Sequence, residues 1–358
     1  MKALIAMSGG VDSSVAAALT IESGAEAVGC NMKLFDAEIE KTERSCCSLD
    51  DVEDARSVAH KLGMPFYVFN LKDEFKEKVI DNFTSCYLCG RTPNPCIDCN
   101  RYLKFSKLFD RMRELKCDFI VTGHYAVIEK SGDKYLLKKA KDPAKDQSYV
   151  LFRLTQEELK HVSFPLGSLS KPEVRAIADA HGFYNAHKAE SQDICFVPDG
   201  DYAGFVEKQT NKPSTPGNFV DLSGKVLGTH EGIIHYTIGQ RKGLKLAMGK
   251  PVYVCGIDVP NNEVILGDNE DLFSKTVISE DNNWISGEPV PNGLRCSAKV
   301  RYRMAEKPGT LYTYEGNRLR FEFDEPVRAV TPGQSVVFYD GDTVLGGGTI
   351  SEGLRVRN

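Results

Sequence analysis

The chain has 358 residues, of which 41% are hydrophobic and 27% charged, a composition typical of a globular protein with two or three domains. Only five apolar residues separate Met1 and Lys2 from the SGG segment, and no apolar run is long enough to span a bilayer, so we expect neither a secretory signal nor a membrane partner. Eleven cysteines without such a signal indicate a reducing, cytoplasmic location. The formal net charge of −5 means that any nucleic-acid site must be a local basic patch.

The first motif is SGGVDSS at residues 8–14, between a predicted buried strand at residues 3–7 and a helix predicted from about Ser13. A strand, a glycine turn and a helix aim backbone N–H groups and the positive helix end at an anion such as phosphate. The pattern is neither the Walker motif nor the dinucleotide fingerprint. Asp12 would repel a phosphate, so it is predicted to bind Mg²⁺ or to cap the helix. An ordinary strand-to-helix turn is the alternative.

Strands are also predicted at residues 27–35, 66–71 and 118–122, and a helix follows residues 45–54. Strands that alternate with helices predict a doubly wound parallel sheet. Ligands of such sheets bind outside the carboxyl ends of the strands, where SGGVDSS, Met32 and Gly123-His124 lie. Met32 and Gly123 are therefore candidates to touch adenine or ribose, although core packing alone also explains Met32.

Two C-x-x-C pairs, Cys86/Cys89 and Cys96/Cys99, flank a Thr-Pro-Asn-Pro turn. One interpretation is a metal knuckle with a short spacer. The other is a reactive thiol at Cys99, whose pKa a helix beginning near residues 100–105 would lower. The residues leave both open. Cys195 lies in an apolar and acidic context, where a buried structural cysteine is the common explanation.

The second half changes character from about Phe205, where short strands separated by glycines replace the alternation of strands and helices. From about Leu272, strands with turns at residues 315–317 and 340–342 predict a β-barrel. Residues 138–150 form a basic loop that is predicted to be solvated. Alternation along one strand predicts a basic face, which is either a patch that binds phosphates or an ordinary solvated face. Its members are Arg295, Lys299, Arg301 and Arg303.

Taken together, these segments resemble the tRNA-specific 2-thiouridylase family (MnmA/TrmU), a group of N-type PP-loop ATP pyrophosphatases. The matching segments, which cover nearly the whole chain, are AMSGGVDSS, CCSLDDVEDAR, GRTPNPCIDCN, TGHYA, KDQSYVLFRL, SQDICFVPDGDYAGF, HYTIGQRKGL, RYR and TPGQSVVFYDGDTVLGGGTI. The resemblance implies an α/β fold in which an N-terminal doubly wound parallel-sheet PP-loop domain (1–204) precedes a small central α+β domain (205–271) and a C-terminal, tRNA-binding β-barrel (272–358).

The resemblance also implies roles for individual residues. The ATP-binding set would be Ala6, Met7, Ser8, Gly9, Gly10, Val11, Asp12, Ser13, Met32 and Gly123. The tRNA-binding set would be Asn94, Pro95, Cys96, His124, Lys145, Asp146, Gln147, Arg301, Tyr302 and Gln334. Cys99 would be the nucleophile and Cys195 the carrier of a persulfide. One departure is Cys96, where many relatives carry Asp, and Cys86 and Cys89 are not part of the family pattern.

The implied activity is 2-thiolation of the wobble uridine, position 34, of tRNAs for Lys, Glu and Gln, with ATP and Mg²⁺. Adenylation makes the uracil C2 oxygen a leaving group, and a persulfide from a cysteine desulfurase or sulfur relay protein supplies sulfur. The alternatives are a PP-loop amidotransferase or synthetase with a small-molecule substrate, and a non-catalytic metal-dependent RNA-binding protein. If the family fold brings Cys195 near Cys96 and Cys99, three thiolates are positioned to hold a [4Fe–4S] cluster, whereas metal-free thiols are the preferred interpretation.

Overall fold

The computed structural model describes residues 1–35, 49–188 and 194–355, without the side chains of Leu49 and Arg355. The predictions made for residues 45–48 and 191–193 therefore lie outside the described residues. Within these ranges no helix is both long and apolar enough to cross a membrane.

The strands are numbered along the chain as β1 Lys2–Ala6, β2 Glu26–Lys33, β3 Phe66–Asn70, β4 Phe119–Val121, β5 Val127–Ser131, β6 Lys134–Lys138, β7 Val162–Ser163, β8 Gly217–Asp221, β9 Val226–His230, β10 Tyr253–Asp258, β11 Glu263–Gly267, β12 Phe273–Trp284, β13 Leu294–Lys299, β14 Lys307–Tyr314, β15 Arg318–Arg328, β16 Ser335–Asp340 and β17 Thr343–Arg355. The helices are α1 Val11–Glu22, α2 Leu49–Lys61, α3 Lys72–Phe75, α4 Asp81–Leu88, α5 Pro95–Asp98, α6 Leu108–Glu114, α7 Gln156–Lys160, α8 Lys171–Ala180 and α9 Tyr202–Thr210. π-Helical segments at Lys76–Ile80 and Cys99–Lys107 join α3 to α4 and α5 to α6.

The N-terminal sheet has the strand order β3-β2-β1-β4-β7, and all of its pairings are parallel. Alternate residues of β1 enter different cores. Ala3 and Ile5 pack with α1, α2 and α8, whereas Leu4 packs with the helical segment that ends in α6. Because both faces of the sheet are covered, the inner parts of β1, β2 and β4 are mostly apolar and buried, and the predicted doubly wound architecture is confirmed.

The central part is a four-stranded sheet of order β10-β11-β8-β9, preceded by α9. Its own small core is formed by Phe219, Tyr236, Val254, Val264 and Leu266. The β8–β11 pair is parallel and the other two pairs are antiparallel. This arrangement confirms the expected small central unit of helix and sheet.

The C-terminal strands form a closed barrel, because β12 pairs with both β15 and β17 while β14, β13 and β16 complete the circuit. The predicted turns at residues 315–317 and 340–342 join β14 to β15 and β16 to β17. The hairpin β5–β6 from the first half of the chain attaches to the barrel through β17. The sequence did not predict this attachment, through which a hairpin from the first half of the chain joins the sheet of the C-terminal barrel.

Two surface predictions are wrong in part. β13 ends at Lys299, so Arg301 and Arg303 lie in the following turn and do not continue a basic strand face. In the basic loop, the second half forms a 3₁₀ turn at Ser148–Leu151 that is buried, because its apolar side chains enter a core that residues of the first domain and of the barrel share.

Candidate active site

The turn between β1 and α1 forms the first part of the site. Gly9 has a φ of +80°, and Gly10 is the extended N-cap of α1, without a side-chain capping bond. The Ser8 N–H donates to Ser13 Oγ at 3.2 Å, and the Ser13 and Ser14 hydroxyls donate to the Gly10 carbonyl at 3.0 and 3.1 Å. No side chain of the N-cap satisfies the first N–H groups of α1, and that arrangement binds anions at helix N-termini.

Asp12 makes contacts that the sequence did not predict. Its Oδ1 accepts a hydrogen bond from the Tyr125 hydroxyl and another from the Lys171 ammonium, each at 2.7 Å. The Lys171 side chain is only 10% exposed, whereas that of Asp12 is 32% exposed. Asp12 is therefore not the cap of α1. Both bonds are made to Oδ1, and the role of Asp12 as a Mg²⁺ ligand stays a prediction.

Three other segments pack directly against the turn. The Asn185 side-chain amide donates to the Gly9 carbonyl at 2.9 Å and to Ser14 Oγ at 3.0 Å. A Cβ atom on Gly9 would meet the backbone of Asp51 in α2, and one on Gly123 would lie 2.8 Å from the backbone of Asp12 and Ser13. The turn is therefore fixed from three sides, and residue size at Gly9 and Gly123 is limited by backbone contacts.

The remaining predicted nucleotide residues lie on the same edge of the sheet. Ala6 ends β1, Met7 follows it and is buried, and Val11 begins α1. Met32 lies near the end of β2, where it is partly buried and packs against two apolar clusters. The structure brings the predicted ATP-binding residues together, and their binding role stays a prediction.

The predicted catalytic cysteines share one of those clusters. Cys99 is 9% exposed and belongs to the cluster around Phe75, Phe83 and Phe196, against which Cys195 and Met32 also pack. Met32 therefore lies both at the edge of the sheet that carries the predicted ATP-binding residues and against the cluster that contains the two thiols.

The helix that carries Cys99 begins earlier than predicted. Asn94 caps it by accepting from the Cys96 N–H at 3.2 Å, and Pro95 occupies the first turn. Cys96 is exposed in that first turn, whereas Cys99 lies one turn further along. The argument that a helix N-terminus lowers the pKa of the Cys99 thiol therefore does not apply.

The cysteine pairs do not form a metal knuckle. Among the described residues, no group of three or more His, Cys, Asp or Glu side chains is arranged to hold a metal ion. Cys86 lies on α4, where its thiol contacts Asn82 Oδ1 at 3.8 Å and burial raises its pKa to about 11. Neither the zinc interpretation nor an iron–sulfur set of Cys96, Cys99 and Cys195 is supported by this geometry.

Several of the predicted tRNA contacts lie where the barrel meets the N-terminal domain. The Gln334 side-chain amide donates to the Thr92 carbonyl at 2.9 Å and to the Pro93 carbonyl at 3.3 Å. The Tyr302 hydroxyl donates to the Asp146 carbonyl at 3.1 Å. The barrel thus contacts the turn that precedes Asn94, Pro95 and Cys96.

The neighbouring loop is fixed as well. The Asp146 carboxylate accepts from the Ala140 and Ser148 N–H groups and from the Ser148 hydroxyl. The Gln147 side chain accepts from the Tyr125 N–H at 3.0 Å, and the Lys145 N–H donates to the Asp142 carbonyl at 3.1 Å. This loop therefore contacts the residue whose hydroxyl binds Asp12.

His124 follows β4 and is buried at the edge of the sheet that carries the predicted ATP-binding residues. Its Nδ1 lies 2.6 Å from Thr122 Oγ1, and its ring packs against Phe105 and Phe164. Burial lowers the pKa of His124 well below its usual value, with a smaller effect from Lys104, so the ring is neutral at pH 7. This position is compatible with a contact to a base but not with a cationic contact to phosphate.

Arg301 lies where the central sheet meets the barrel. Its guanidinium donates to the Ile238 carbonyl at 2.8 Å, to Thr331 Oγ1 at 2.6 Å and to the Ala329 carbonyl at 3.3 Å. It also lines a cavity of about 380 Å³ with Lys307 and Arg328. By contrast, Arg295 is exposed and makes a two-bond ion pair with Asp324. The basic residues that were predicted to lie on one strand face therefore have different surroundings and different partners.

Sequence reasoning assigned no role to Lys171, Asn185, Tyr125 and Asp51. Lys171 follows the capping serine of α8 and precedes a proline, a pattern that predicts a helix start but no active-site role. Tyr125 and Asp51 occur in segments that matched the family, without an assigned function. Only the folded chain shows that the side chains of Lys171, Asn185 and Tyr125, and the backbone of Asp51, converge on residues 8–14.

Comparisons with known proteins match the chain from end to end. Three family models match: a tRNA methyl transferase HUP domain at residues 1–199, a tRNA methyl transferase PRC-barrel domain at 203–268 and an aminomethyltransferase β-barrel domain at 274–350. The chain is 51% identical over 354 residues to the tRNA-specific 2-thiouridylase MnmA of Acetivibrio thermocellus, covering 98% of this chain and 99% of that protein. It is 50% identical over 356 residues to the tRNA-specific 2-thiouridylase MnmA of Clostridioides difficile, covering 99% of each.

Proposed function

The chain belongs to the tRNA-specific 2-thiouridylase family, and on that basis we propose that it is the enzyme that thiolates C2 of a tRNA uridine at the expense of ATP. The proposed substrate is the wobble uridine, position 34, of tRNAs for Lys, Glu and Gln. The proposed domain division is 1–204, 205–271 and 272–358, with ATP and sulfur chemistry in the first part and tRNA contacts extending to the barrel.

The proposed first step is adenylation. The uracil C2 oxygen attacks the α-phosphorus of ATP, pyrophosphate leaves, and the oxygen becomes part of AMP, a far better leaving group. The turn at residues 8–14 offers the N–H groups at the start of α1 to the phosphates, and Met32 and Gly123 border the space for the nucleoside. Mg²⁺ would accompany ATP as its counter-ion, and Asp12, the second residue of α1, is the side chain proposed to contact it.

The proposed second step is sulfur transfer. Cys195 carries a persulfide whose terminal sulfur attacks C2, and AMP leaves. The Cys99 thiolate then attacks Sγ of Cys195, which forms a Cys99–Cys195 disulfide and releases 2-thiouridine. A cellular thiol must reduce the disulfide before the next turnover, and a cysteine desulfurase or sulfur relay protein supplies the next sulfur.

One observation supports this arrangement above the others. Cys99 and Cys195 are far apart in the sequence, yet they pack in a single apolar cluster together with Met32. A small-molecule synthetase has no use for two thiols beside its nucleotide edge. The target base must leave its stack to reach both groups, as in other enzymes that modify bases.

The test is incubation with unmodified tRNA transcripts for Lys, Glu and Gln, ATP, Mg²⁺ and a sulfide or desulfurase source, followed by nucleoside mass analysis. Transcripts with cytidine at position 34 are the matched control. We expect 2-thiouridine at position 34 only in the uridine transcripts and only with ATP. Formation of an adenylated small molecule without 2-thiouridine would contradict the proposal.

A further inference from the structure

The cavity of about 380 Å³ beside Arg301 lies at one end of the barrel, where β13 and β15 end and β12 and β14 begin. Three basic residues line it: Arg301 from the turn after β13, Lys307 from the first position of β14 and Arg328 from the last position of β15. The other described residues that line it are apolar, and none is an aspartate or a glutamate. The cavity therefore gathers three positive charges and no negative one.

The two arginines approach each other beneath a loop of the central part. A Cβ atom on Gly239 would lie 3.7 Å from Arg328 Nη1 and 3.9 Å from Arg301 Nη2. Arg328 donates to Asn269 Oδ1 at 3.2 Å, and Arg301 donates to two backbone carbonyls and to a threonine hydroxyl. All of these acceptors are neutral. In the part of the chain that the structure describes, no carboxylate offsets either guanidinium.

Other cations of the same region are neutralised by acids. Arg295 makes two bonds of 2.7 Å to Asp324, and Lys139 pairs with Glu306 at 2.5 Å. At Arg301 the situation differs, because burial lowers its pKa and the positive charge of Arg328 acts in the same direction. Like charges at a partly buried place are costly unless an anion joins them. The electrostatics of the cavity are therefore complete only with an anionic ligand.

Both arginines keep donors for such a ligand. The bonds of Arg301 within the protein use Nε and Nη2, which leaves the two N–H groups of Nη1 without an acceptor among the described residues. The bond of Arg328 to Asn269 uses Nε, and both of its terminal nitrogens stay available. Guanidinium groups bind phosphate oxygens through parallel N–H bonds, and a lysine adds a compact positive charge.

We propose that this cavity binds a phosphate group, with Arg328 and Nη1 of Arg301 as the hydrogen-bond donors and Lys307 as a further positive charge. The resemblance implied a tRNA contact for Arg301, whereas Arg328 and Lys307 had no predicted role. The favoured source is a backbone phosphate of tRNA, because the adjacent Tyr302 contacts the loop around Asp146, where further predicted tRNA contacts lie. In that case the inference rests on the proposed function. Inorganic phosphate is the other source and requires no tRNA.

The experiment measures the dissociation constant of an unmodified tRNA transcript for the purified full-length protein, without ATP and over a range of salt concentrations. Arg328→Gln and Lys307→Gln, both at exposed positions, should each raise the dissociation constant about 3- to 10-fold at low salt. Arg295→Gln is the matched control, because it removes the same charge from the same barrel at a residue already paired with Asp324. Its dissociation constant should stay within about twofold of that of the wild type.

The double variant Arg328→Gln/Lys307→Gln tests whether the two residues share one phosphate. A shared phosphate predicts that the double variant loses less affinity than the product of the two single losses. It also predicts that the slope of log affinity against log salt falls by about one, and not by about two, because a single phosphate contact is lost. Independent losses with a change of about two in slope would contradict a common site.

Calorimetric titration with inorganic phosphate separates the two sources. Weaker tRNA binding in Arg328→Gln but not in Arg295→Gln would assign a tRNA phosphate to the cavity. Unchanged tRNA binding, together with loss of a phosphate-binding event that the wild type shows, would assign free phosphate. Unchanged binding of both ligands, or losses no larger than those of Arg295→Gln, would overturn the inference. A wild type that binds tRNA through this site but forms no 2-thiouridine would refute the proposed function and sustain the inference.

Discussion

The two neighbouring glycines of the turn offer a matched pair of substitutions. Gly9 has a φ of +80°, and a Cβ atom there would meet the Asp51 carbonyl and lie 2.8 Å from the Asp51 Cα. Gly10 has a φ of −87°, and its Cβ would find only the Ser8 hydroxyl, at 3.5 Å. Gly9→Ala and Gly10→Ala thus add the same methyl group to adjacent residues, and the first is expected to destabilise the protein far more than the second.

The magnitude follows from two terms. A left-handed backbone costs a residue with a Cβ about 1–2 kcal/mol. Overpacking against a backbone that cannot rotate away costs about 1–3 kcal/mol more. Gly9→Ala should therefore destabilise the protein by about 2–5 kcal/mol. Gly10→Ala should cost no more than about 1 kcal/mol, the difference between glycine and alanine at an N-cap.

The measurement is thermal unfolding of the full chain, followed by far-UV circular dichroism. We expect Gly9→Ala to lower the midpoint by roughly 5–15 °C and Gly10→Ala by no more than roughly 4 °C. Equal midpoints for the two variants would refute the reasoning, because they would show that α2 does not pack against Gly9 as described. A midpoint for Gly9→Ala equal to that of the wild type would refute it equally.

Three further outcomes are expected. Cys99→Ser and Cys195→Ser should each abolish sulfur transfer, and radiolabelled sulfur should appear on Cys195 and not on Cys99; full thiolation by Cys195→Ser would return that residue to a structural role. Arg301→Ala should lower the free energy of unfolding by about 2–3 kcal/mol and weaken tRNA binding. Arg295→Ala, which removes an exposed ion pair, should lower the free energy of unfolding by no more than about 1 kcal/mol. Equal losses in urea titrations would contradict the placement of Arg301 where the central sheet meets the barrel. Burial raises the pKa of Asp98 to about 6, so the folded protein holds this proton more tightly than the unfolded chain, and the associated stability is present below about pH 4 and is lost as the pH rises through about 6. Asp98→Asn should flatten that part of the stability profile, and an unchanged slope between pH 4 and 6 would count against it.

The parts of the fold that depend on local pattern were predictable. The apolar strand at residues 3–7, the glycine pair and the following helix specify β1, the turn and α1 within a short stretch of chain. The alternation of such units predicts the doubly wound sheet, because parallel strands need helical crossovers. The start of α5 was also present in the sequence as Asn94 followed by Pro95, but the adjacent cysteine pairs drew the interpretation toward Cys99 and a later helix start.

Pairing between distant segments was not predictable from one sequence. The attachment of the hairpin β5–β6 to the barrel depends on a register between Lys138 and Thr343, which no local pattern specifies. The basic strand face failed for a similar reason. The parity of Arg295 and Lys299 continues through Arg301, but the pairing of β13 with β16 stops at Lys299 and Val337, and the chain then turns.

The same difference between local and distant information explains why the partners of Asp12 were not predictable. The shape of an anion site is local, because a few consecutive residues place the N–H groups at the start of a helix. Its charge is not local, since Lys171 lies 159 residues from Asp12 and Asn185 lies 176 residues from Gly9. Considered without Lys171, a carboxylate in a phosphate-binding turn predicts a metal ion. The fold adds an ammonium 2.7 Å from Oδ1 of this carboxylate, a partner that no local pattern of the sequence predicts.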